Sequence, residues 1–153
     1  TMPLGIAQMS IDVEAPLGSW RSRLQTAEGR LMFKMNEGTT LGFGFQTLLE
    51  SVGPNQFFTL SNQDQGEELF TSLNFEGALA DGVATIVSAQ INYEEGTVHL
   101  EGVAPYKSGG IALTATVEPA KESVIPETRQ FFIGGSWDRA FATALRGPTA
   151  FGE

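Results

Sequence analysis

Residues 83–93, which read Val-Ala-Thr-Ile-Val-Ser-Ala-Gln-Ile-Asn-Tyr, follow the turn pair Asp81-Gly82 and alternate along their length. An alternation with a period of two is typical of a β-strand that has one buried face. A fold organised around this strand belongs to the β class. We predict that its buried face carries Val83, Thr85, Val87, Ala89, Ile91 and Tyr93.

Similar runs precede and follow this strand, and turn residues separate them. The alternating runs lie at 31–36, 41–49, 57–60, 69–75, 97–104 and 111–117, with turns predicted at Glu37-Gly38-Thr39, Gly53-Pro54-Asn55 and Gly109-Gly110. Turn signals about every eight to twelve residues are typical of a sandwich or barrel. The connections are too short for parallel crossovers, so the strands should pair antiparallel. We expect buried side chains at Phe43, Phe45, Val87, Ile91, Leu100 and Leu113.

These patterns predict one all-β domain over residues 1–153, an antiparallel β-barrel of about eight strands, with a β-sandwich as the alternative. Closure is favoured because glycines recur inside the strands, where barrels bend tightly, and because it removes exposed edges. Residues 136–146 fit two structures. They form either a short C-terminal helix capped by Ser136 and ended by Gly147-Pro148, or a strand with Phe141 and Leu145 on one side.

The charge balance excludes several classes of partner. The chain has 18 Asp+Glu against 9 Lys+Arg, a formal charge of −9, which disfavours nucleic acid and anionic membranes. It has no cysteine, which excludes a disulfide scaffold and thiolate metal sites. No apolar run approaches the roughly 20 residues of a membrane helix, and residues 1–6 lack signal-peptide character. We therefore expect a cytoplasmic protein.

Candidate catalytic chemistry is sparse. His99 is the single histidine, and alternation places it on one face with Thr97 and Glu101. The chain has no Gly-x-Ser-x-Gly elbow for a serine triad, and one histidine without cysteine does not make a zinc site. We therefore expect His99 to be an ordinary outward strand residue, and we expect neither a metal nor a cofactor.

Several strands are apolar on both faces, as in Phe57-Phe58 and Phe131-Phe132-Ile133. In a barrel, one face lines the interior and the other meets a partner. An apolar interior is typical of a site for a hydrophobic small molecule, here with hydrogen-bonding groups at Gln46, Ser72, Asn74, Thr85, Gln90, Asn92 and Tyr93. The same composition also fits a plain core plus a subunit interface. Two functions stay open: ligand binding, or a structural protein that assembles through its strands. Either would be a homo-oligomer, most simply a dimer.

For the ligand-binding function, aromatic residues are the candidate contacts because they combine a large apolar face with a polar tip. Trp20, Tyr106 and Trp137 are the candidates for a gate at one mouth of the barrel, and the loop at 118–130 is long enough to lie over that mouth as a lid. The predicted ligand-binding residues are Trp20, Phe43, Phe45, Tyr93, Tyr106 and Trp137.

Two short segments carry a family resemblance. Gly134-Gly135-Ser136, followed by Phe141-Ala142-x-Ala144-x-Arg146-Gly147, resembles a segment of allene oxide cyclase and dirigent-type (calycin-like) barrels, although Trp137-Asp138-Arg139 is inserted. Gly18-x-Trp20 is similar to the opening of lipocalins. The first families, like the small barrel cyclases of polyketide natural-product biosynthesis, fold a flexible apolar substrate for ring closure. The resemblance implies a cofactor-independent cyclase of isomerase or lyase type, and it transfers no catalytic residue.

Overall fold

A computed structural model describes residues 3–18, 25–41, 45, 48, 57–59, 67–120, 127–136 and 138–145. These residues form ten strands: β1 (Pro3–Glu14), β2 (Glu28–Leu41), β3 (Phe57–Thr59), β4 (Glu67–Phe70), β5 (Ser72–Ala80), β6 (Val83–Tyr93), β7 (Gly96–Ala104), β8 (Gly110–Pro119), β9 (Arg129–Ser136) and β10 (Arg139–Leu145).

All ten strands belong to one antiparallel sheet with the order β1-β2-β5-β6-β7-β8-β9-β10-β3, and β4 also pairs with β2. β4 and β5 both pair with β2, and the register of the pairing is the same for both. They therefore act as one strand that is interrupted at Thr71. The all-β, antiparallel prediction is confirmed. Within the described residues β1 and β3 end the sheet without pairing with each other, so the predicted barrel closure is not seen there.

One face of the sheet, called here the inner face, carries the core. Its fully buried side chains include Val98, Ala115, Val117, Phe131 and Ala142, one or more from each of β7 to β10. Two residues between β2 and β3 pack into the same core, namely Phe45 and Leu48, which are also fully buried. Both have helical backbone, so the strand predicted over 41–49 is wrong at these positions. Phe45 is buried, as predicted. Phe43 lies outside the described residues.

β6 departs from the predicted alternation over its first half. Thr85 is exposed and Val87 is 54% exposed, so their predicted burial is wrong, and Val83 lies on the same face as Thr85 and is only half-buried. The pairing of β6 shifts between Ile86 and Ala89 because Val87 is an extra, bulged residue that reverses the alternation. Beyond the bulge, Ala89, Ile91 and Tyr93 occupy the buried face as predicted.

A second reversal occurs where β4 meets β5. Phe70 is buried and Leu69 is exposed, whereas the alternation through 69–75 predicted the opposite for Leu69. The reversal lies at Thr71, which falls between the two stretches paired with β2 and whose backbone N–H donates to the Asn92 carbonyl at 2.8 Å. β2 shifts its own register with β1 nearby and continues to Leu41, so the predicted turn at 37–39 is wrong.

The remaining buried positions agree with the pattern. Leu100 and Leu113 are half-buried and pack against the core, and the alternation through β8 places Ala115 and Val117 inward. β8 ends at Pro119, as the sequence predicts.

The segment after β9 is a strand, so the C-terminal helix alternative is wrong over Arg139–Leu145. β10 pairs with β9 on one side and with β3 on the other, which satisfies its backbone groups better than a short isolated helix would. The Ser136 hydroxyl donates to the Asp138 carboxylate at 2.6 Å, and this bond holds the pKa of Asp138 below its usual value. Ser136 therefore closes a turn between strands and does not cap a helix.

Candidate functional site

Among the described strands, β1 lies at the edge of the sheet and pairs with β2 alone. Its odd-numbered residues lie opposite inner-face residues of β2, so they belong to the inner face themselves: Ala7 opposite Met35, Met9 opposite Phe33, Ile11 opposite Leu31 and Val13 opposite Gly29. We call Ala7, Met9, Ile11 and Val13 the edge patch. The intervening residues of the outer face are polar or acidic: Gln8, Ser10, Asp12 and Glu14.

None of the residues that the structure describes covers the edge patch. Met9 is 63% exposed and Ile11 is 60% exposed, and every residue from 5 to 18 is exposed. Next to it on β2, Leu31 and Phe33 are only half-buried. Contiguous apolar surface of this kind marks an interaction site in a folded protein.

β1 was not among the strands predicted from the sequence, although its pattern is typical of a strand. Ala7, Met9, Ile11 and Val13 alternate with polar residues as clearly as the strands that were predicted. The alternation alone does not reveal that this strand lies at the edge, because that depends on the order of the strands in the sheet.

The outer face of β5 to β7 is polar and internally hydrogen-bonded. The Asn92 carboxamide oxygen accepts from Gln90 Nε2 at 2.9 Å and from Thr97 Oγ1 at 2.9 Å, while its Nδ2 donates to Ser72 Oγ at 2.7 Å. Gln46 lies outside the described residues, and Tyr93 is buried. The other predicted polar groups of an interior cavity are Ser72, Asn74, Thr85, Gln90 and Asn92. That prediction is wrong, because their strand positions alternate with the buried ones.

The same outer face has a surface pocket of about 280 Å³ beside the Val87 bulge. Its lining comprises Val87, Ser88, Ala89, His99, Leu100, Glu101, Thr116 and Glu118. His99 Nε2 lies 3.8 Å from Glu118 Oε2, and their side chains are 41% and 55% exposed. An exposed pair of this kind is weak. Among the described residues, no group of three or more His, Asp or Glu side chains could hold a metal ion. His99 points outward, as predicted.

Two of the predicted ligand-binding residues meet in the core. The centroids of the Phe45 and Tyr93 rings are 6.0 Å apart, and both side chains are buried. The Tyr93 hydroxyl lies 3.3 Å from Thr40 Oγ1, which also donates to the Glu68 carbonyl. Burial raises the pKa of Tyr93 to about 12, although the Thr40 hydrogen bond opposes this shift. These two rings pack against each other inside the core.

Tyr106 lies elsewhere, in the turn between β7 and β8 and thus at the opposite end of the sheet from Tyr93. The loop that was predicted as a lid leaves β8 at Pro119, where the Ala120 N–H donates to the Glu95 carbonyl at 2.7 Å. The loop therefore starts at the end of the sheet that is far from Tyr106. The prediction that this loop lies over a mouth guarded by Tyr106 is wrong. Trp20, Phe43 and Trp137 lie outside the described residues.

Comparison of the chain with protein-family models, with curated proteins and with solved structures gives no match. In the part of the chain that the structure describes, no helix combines the length and the apolar character needed to cross a membrane. The site must therefore be interpreted from its own geometry.

Proposed function

We propose that this protein is a structural or assembly β-protein, without enzymatic activity, whose edge patch is covered by a second copy of the chain in a homodimer. The observation that carries the proposal is the continuation of the apolar inner face onto β1, where Met9 and Ile11 are exposed. This function is the one that the geometry supports best.

The free-energy cost of exposing the apolar edge patch to water supports the proposal that this patch is buried in an interface. Apolar surface contributes roughly 25 cal/mol per Å² when it is buried. Natural proteins protect a free sheet edge with charged side chains, proline, bulges or a very short strand. β1 has proline and a register shift near its start, but its stretch from Ala7 to Glu14 is regular, has no lysine or proline, and carries its two charges, Asp12 and Glu14, on the outer face. An edge of this kind is suited to pairing with another strand.

The charge of the chain supports an apolar contact over an electrostatic one. At a formal charge of −9, nucleic acid and anionic membranes are unfavourable partners. The edge patch itself carries no charged side chain. A second copy presents the same uncharged patch. The two patches can therefore bury each other, and no partner of opposite charge is required.

A second candidate is the binding of a hydrophobic small molecule in a closed barrel, with cyclisation of the ligand by folding it into a reactive conformer. The observation that favours it is the buried polar pair Thr40 and Tyr93 beside Phe45, because a few polar groups in an apolar interior are typical of ligand sites. It requires β1 to pair with β3. Saturable quenching of tryptophan fluorescence by an apolar probe, lost in the Tyr93→Phe variant, would support it.

Static light scattering over a range of concentrations tests the assembly function. The wild-type chain has a mass of 16.4 kDa, and we expect a dimer of twice that mass. Ile11→Glu should give the monomer because it places a carboxylate in the edge patch. Leu69→Glu is the matched control, since Leu69 is an exposed leucine of β4 outside the patch. A wild-type monomer at every concentration would refute the proposal.

A further inference from the structure

We infer that the two copies pair through β1 in an antiparallel arrangement, with Ser10 opposite Ser10 of the second copy. This inference rests on the proposed assembly function and adds the strand, its direction and its register. Three features of the described residues carry it: the pleat of β1, the irregularity at its start and the position of its acidic residues.

The pleat limits the possible registers. Residues that lie opposite each other on neighbouring antiparallel strands point to the same face. A two-fold axis perpendicular to the sheet keeps the inner faces of both copies on one side, so odd residues must lie opposite odd ones and even opposite even. One residue therefore lies opposite its own counterpart at the axis.

The irregularity at the start of β1 limits the register from one side. The pairing of β1 with β2 shifts between Gly5 and Ala7 and is regular from Ala7 to Glu14. An axis at Ser10 keeps the new pairing inside this regular stretch, where it joins Ala7 with Val13 and Met9 with Ile11. The edge patches of both copies then form one apolar surface.

The acidic residues limit the register from the other side. With the axis at Ser10, Asp12 lies opposite Gln8, and the two Asp12 residues are separated by four residues, about 14 Å along the strand. Moving the axis to Ile11 would halve this separation. Parallel pairing about a two-fold axis would turn the inner faces of the two copies to opposite sides of the sheet, so their edge patches would not form one surface. The common inner face therefore favours the antiparallel arrangement.

β3, at the other end of the sheet, is a less favourable strand for pairing with a second copy. In the described part of the chain β3 comprises three residues, Phe57–Thr59, so the ladder that a head-to-tail contact of β1 with β3 of another copy would form there is short. Such a contact would produce a ring or an open filament, and both are larger than a dimer. A closed dimer through β1 uses the longer strand on both sides.

Single-cysteine cross-linking tests the register, because the chain has no cysteine of its own. Directly opposed residues have Cα atoms about 4.5–5.5 Å apart, within the range of a disulfide. We expect Ser10→Cys to form a disulfide-linked dimer in oxidised glutathione, at least tenfold faster than Gln8→Cys or Asp12→Cys alone. A mixture of Gln8→Cys and Asp12→Cys should form the mixed dimer.

The outcomes separate this inference from the proposed function. If the wild type is a dimer by light scattering but Ser10→Cys is not linked faster than the other two variants, the register is wrong and the assembly function stands. Self-linking of all three variants at similar rates would show parallel pairing and would also overturn the inference. A monomeric wild type refutes both. Adding Ile11→Glu to Ser10→Cys should abolish the linkage, and circular dichroism of each variant should match that of the wild type.

Discussion

Two regions of the inner face follow the same alternation and differ in what covers them. On β7 to β9, Val98, Val117 and Phe131 are fully buried, and on β1, Met9 and Ile11 are mostly exposed. The first region belongs to the core that contains Phe45 and Leu48 of the same chain. The second has no equivalent among the described residues.

The difference teaches that alternation predicts which side chains share a face, whereas burial depends on a covering layer. In the first region the chain supplies that layer itself. In the second, we propose that a second copy supplies it. Substitutions in the two regions should therefore differ in their effect on stability and on dimer formation.

Truncation in the covered region should be the most costly. Phe131→Ala removes a fully buried ring and leaves a cavity, so we expect a loss of about 3–5 kcal/mol in the free energy of unfolding. Met9→Ala, measured by urea denaturation at a concentration where the chain is monomeric, should cost less than about 1 kcal/mol. Equal losses for the two variants would remove the contrast between the regions.

The buried hydroxyl of Tyr93 should make the covered region sensitive to alkaline pH. The unfolded chain releases this proton near the ordinary pKa of 10.0, and the folded chain releases it near 12, so the folded state holds more protons between these values. Stability should be unaffected by this group below pH 10 and should fall by about 2–3 kcal/mol as the pH rises from 10 to 12.

Thermal melts of wild type and Tyr93→Phe, compared at pH 9 and at pH 12, measure this effect. The variant should lose less stability than the wild type over that interval, because it has no hydroxyl to ionise there. Parallel curves for the two proteins would contradict the burial of this hydroxyl.

The attachment of β1 to β2 depends on a close approach at Gly29. A Cβ at this position would collide with the Asp12 carbonyl oxygen and with Val13. We expect Gly29→Ala to cost about 1–3 kcal/mol and to weaken the dimer, because it displaces β1. Gly110→Ala is the control, since its Cβ would lie no closer than 3.5 Å to any neighbour, the nearest being Ser108 Oγ. A Gly29→Ala variant with wild-type stability and mass would argue against this packing.

The outer face should tolerate substitution best. His99 and Glu118 are both exposed, so His99→Ala should change the free energy of unfolding by less than about 0.5 kcal/mol and leave the oligomeric mass unchanged. A larger loss, or a change of mass, would show that the pocket beside the Val87 bulge contributes to the fold or the interface.

The inner face was predictable wherever the alternation is uninterrupted. Leu31, Phe33 and Met35, and likewise the run to Val117, lie on the predicted face because each residue there has one ladder partner on each neighbouring strand. Thr85, Val87 and Leu69 were predicted wrongly, because a bulge or break reverses the alternation. Neither irregularity is marked by a glycine or proline at the residue concerned.

The end of the chain was ambiguous for a related reason. Phe141 and Leu145 are four residues apart, a spacing that places them on one side of a strand and also of a helix. Pairing with β9 and β3 decides in favour of the strand, and sequence alone does not contain that information. The candidate site was visible as an alternation from Ala7 to Glu14. Its exposure follows from strand order, which emerges only from the assembled sheet.

Amide hydrogen exchange of β1, followed residue by residue by NMR at two protein concentrations, tests directly whether a second copy of the chain pairs with this strand. In an edge strand, alternate backbone amides point to the neighbouring strand and the others point to solvent. The account predicts that the solvent-directed amides between Ala7 and Val13 are protected at high concentration and lose this protection on dilution, while those bonded to β2 stay protected. Rapid, concentration-independent exchange of the solvent-directed amides would contradict it.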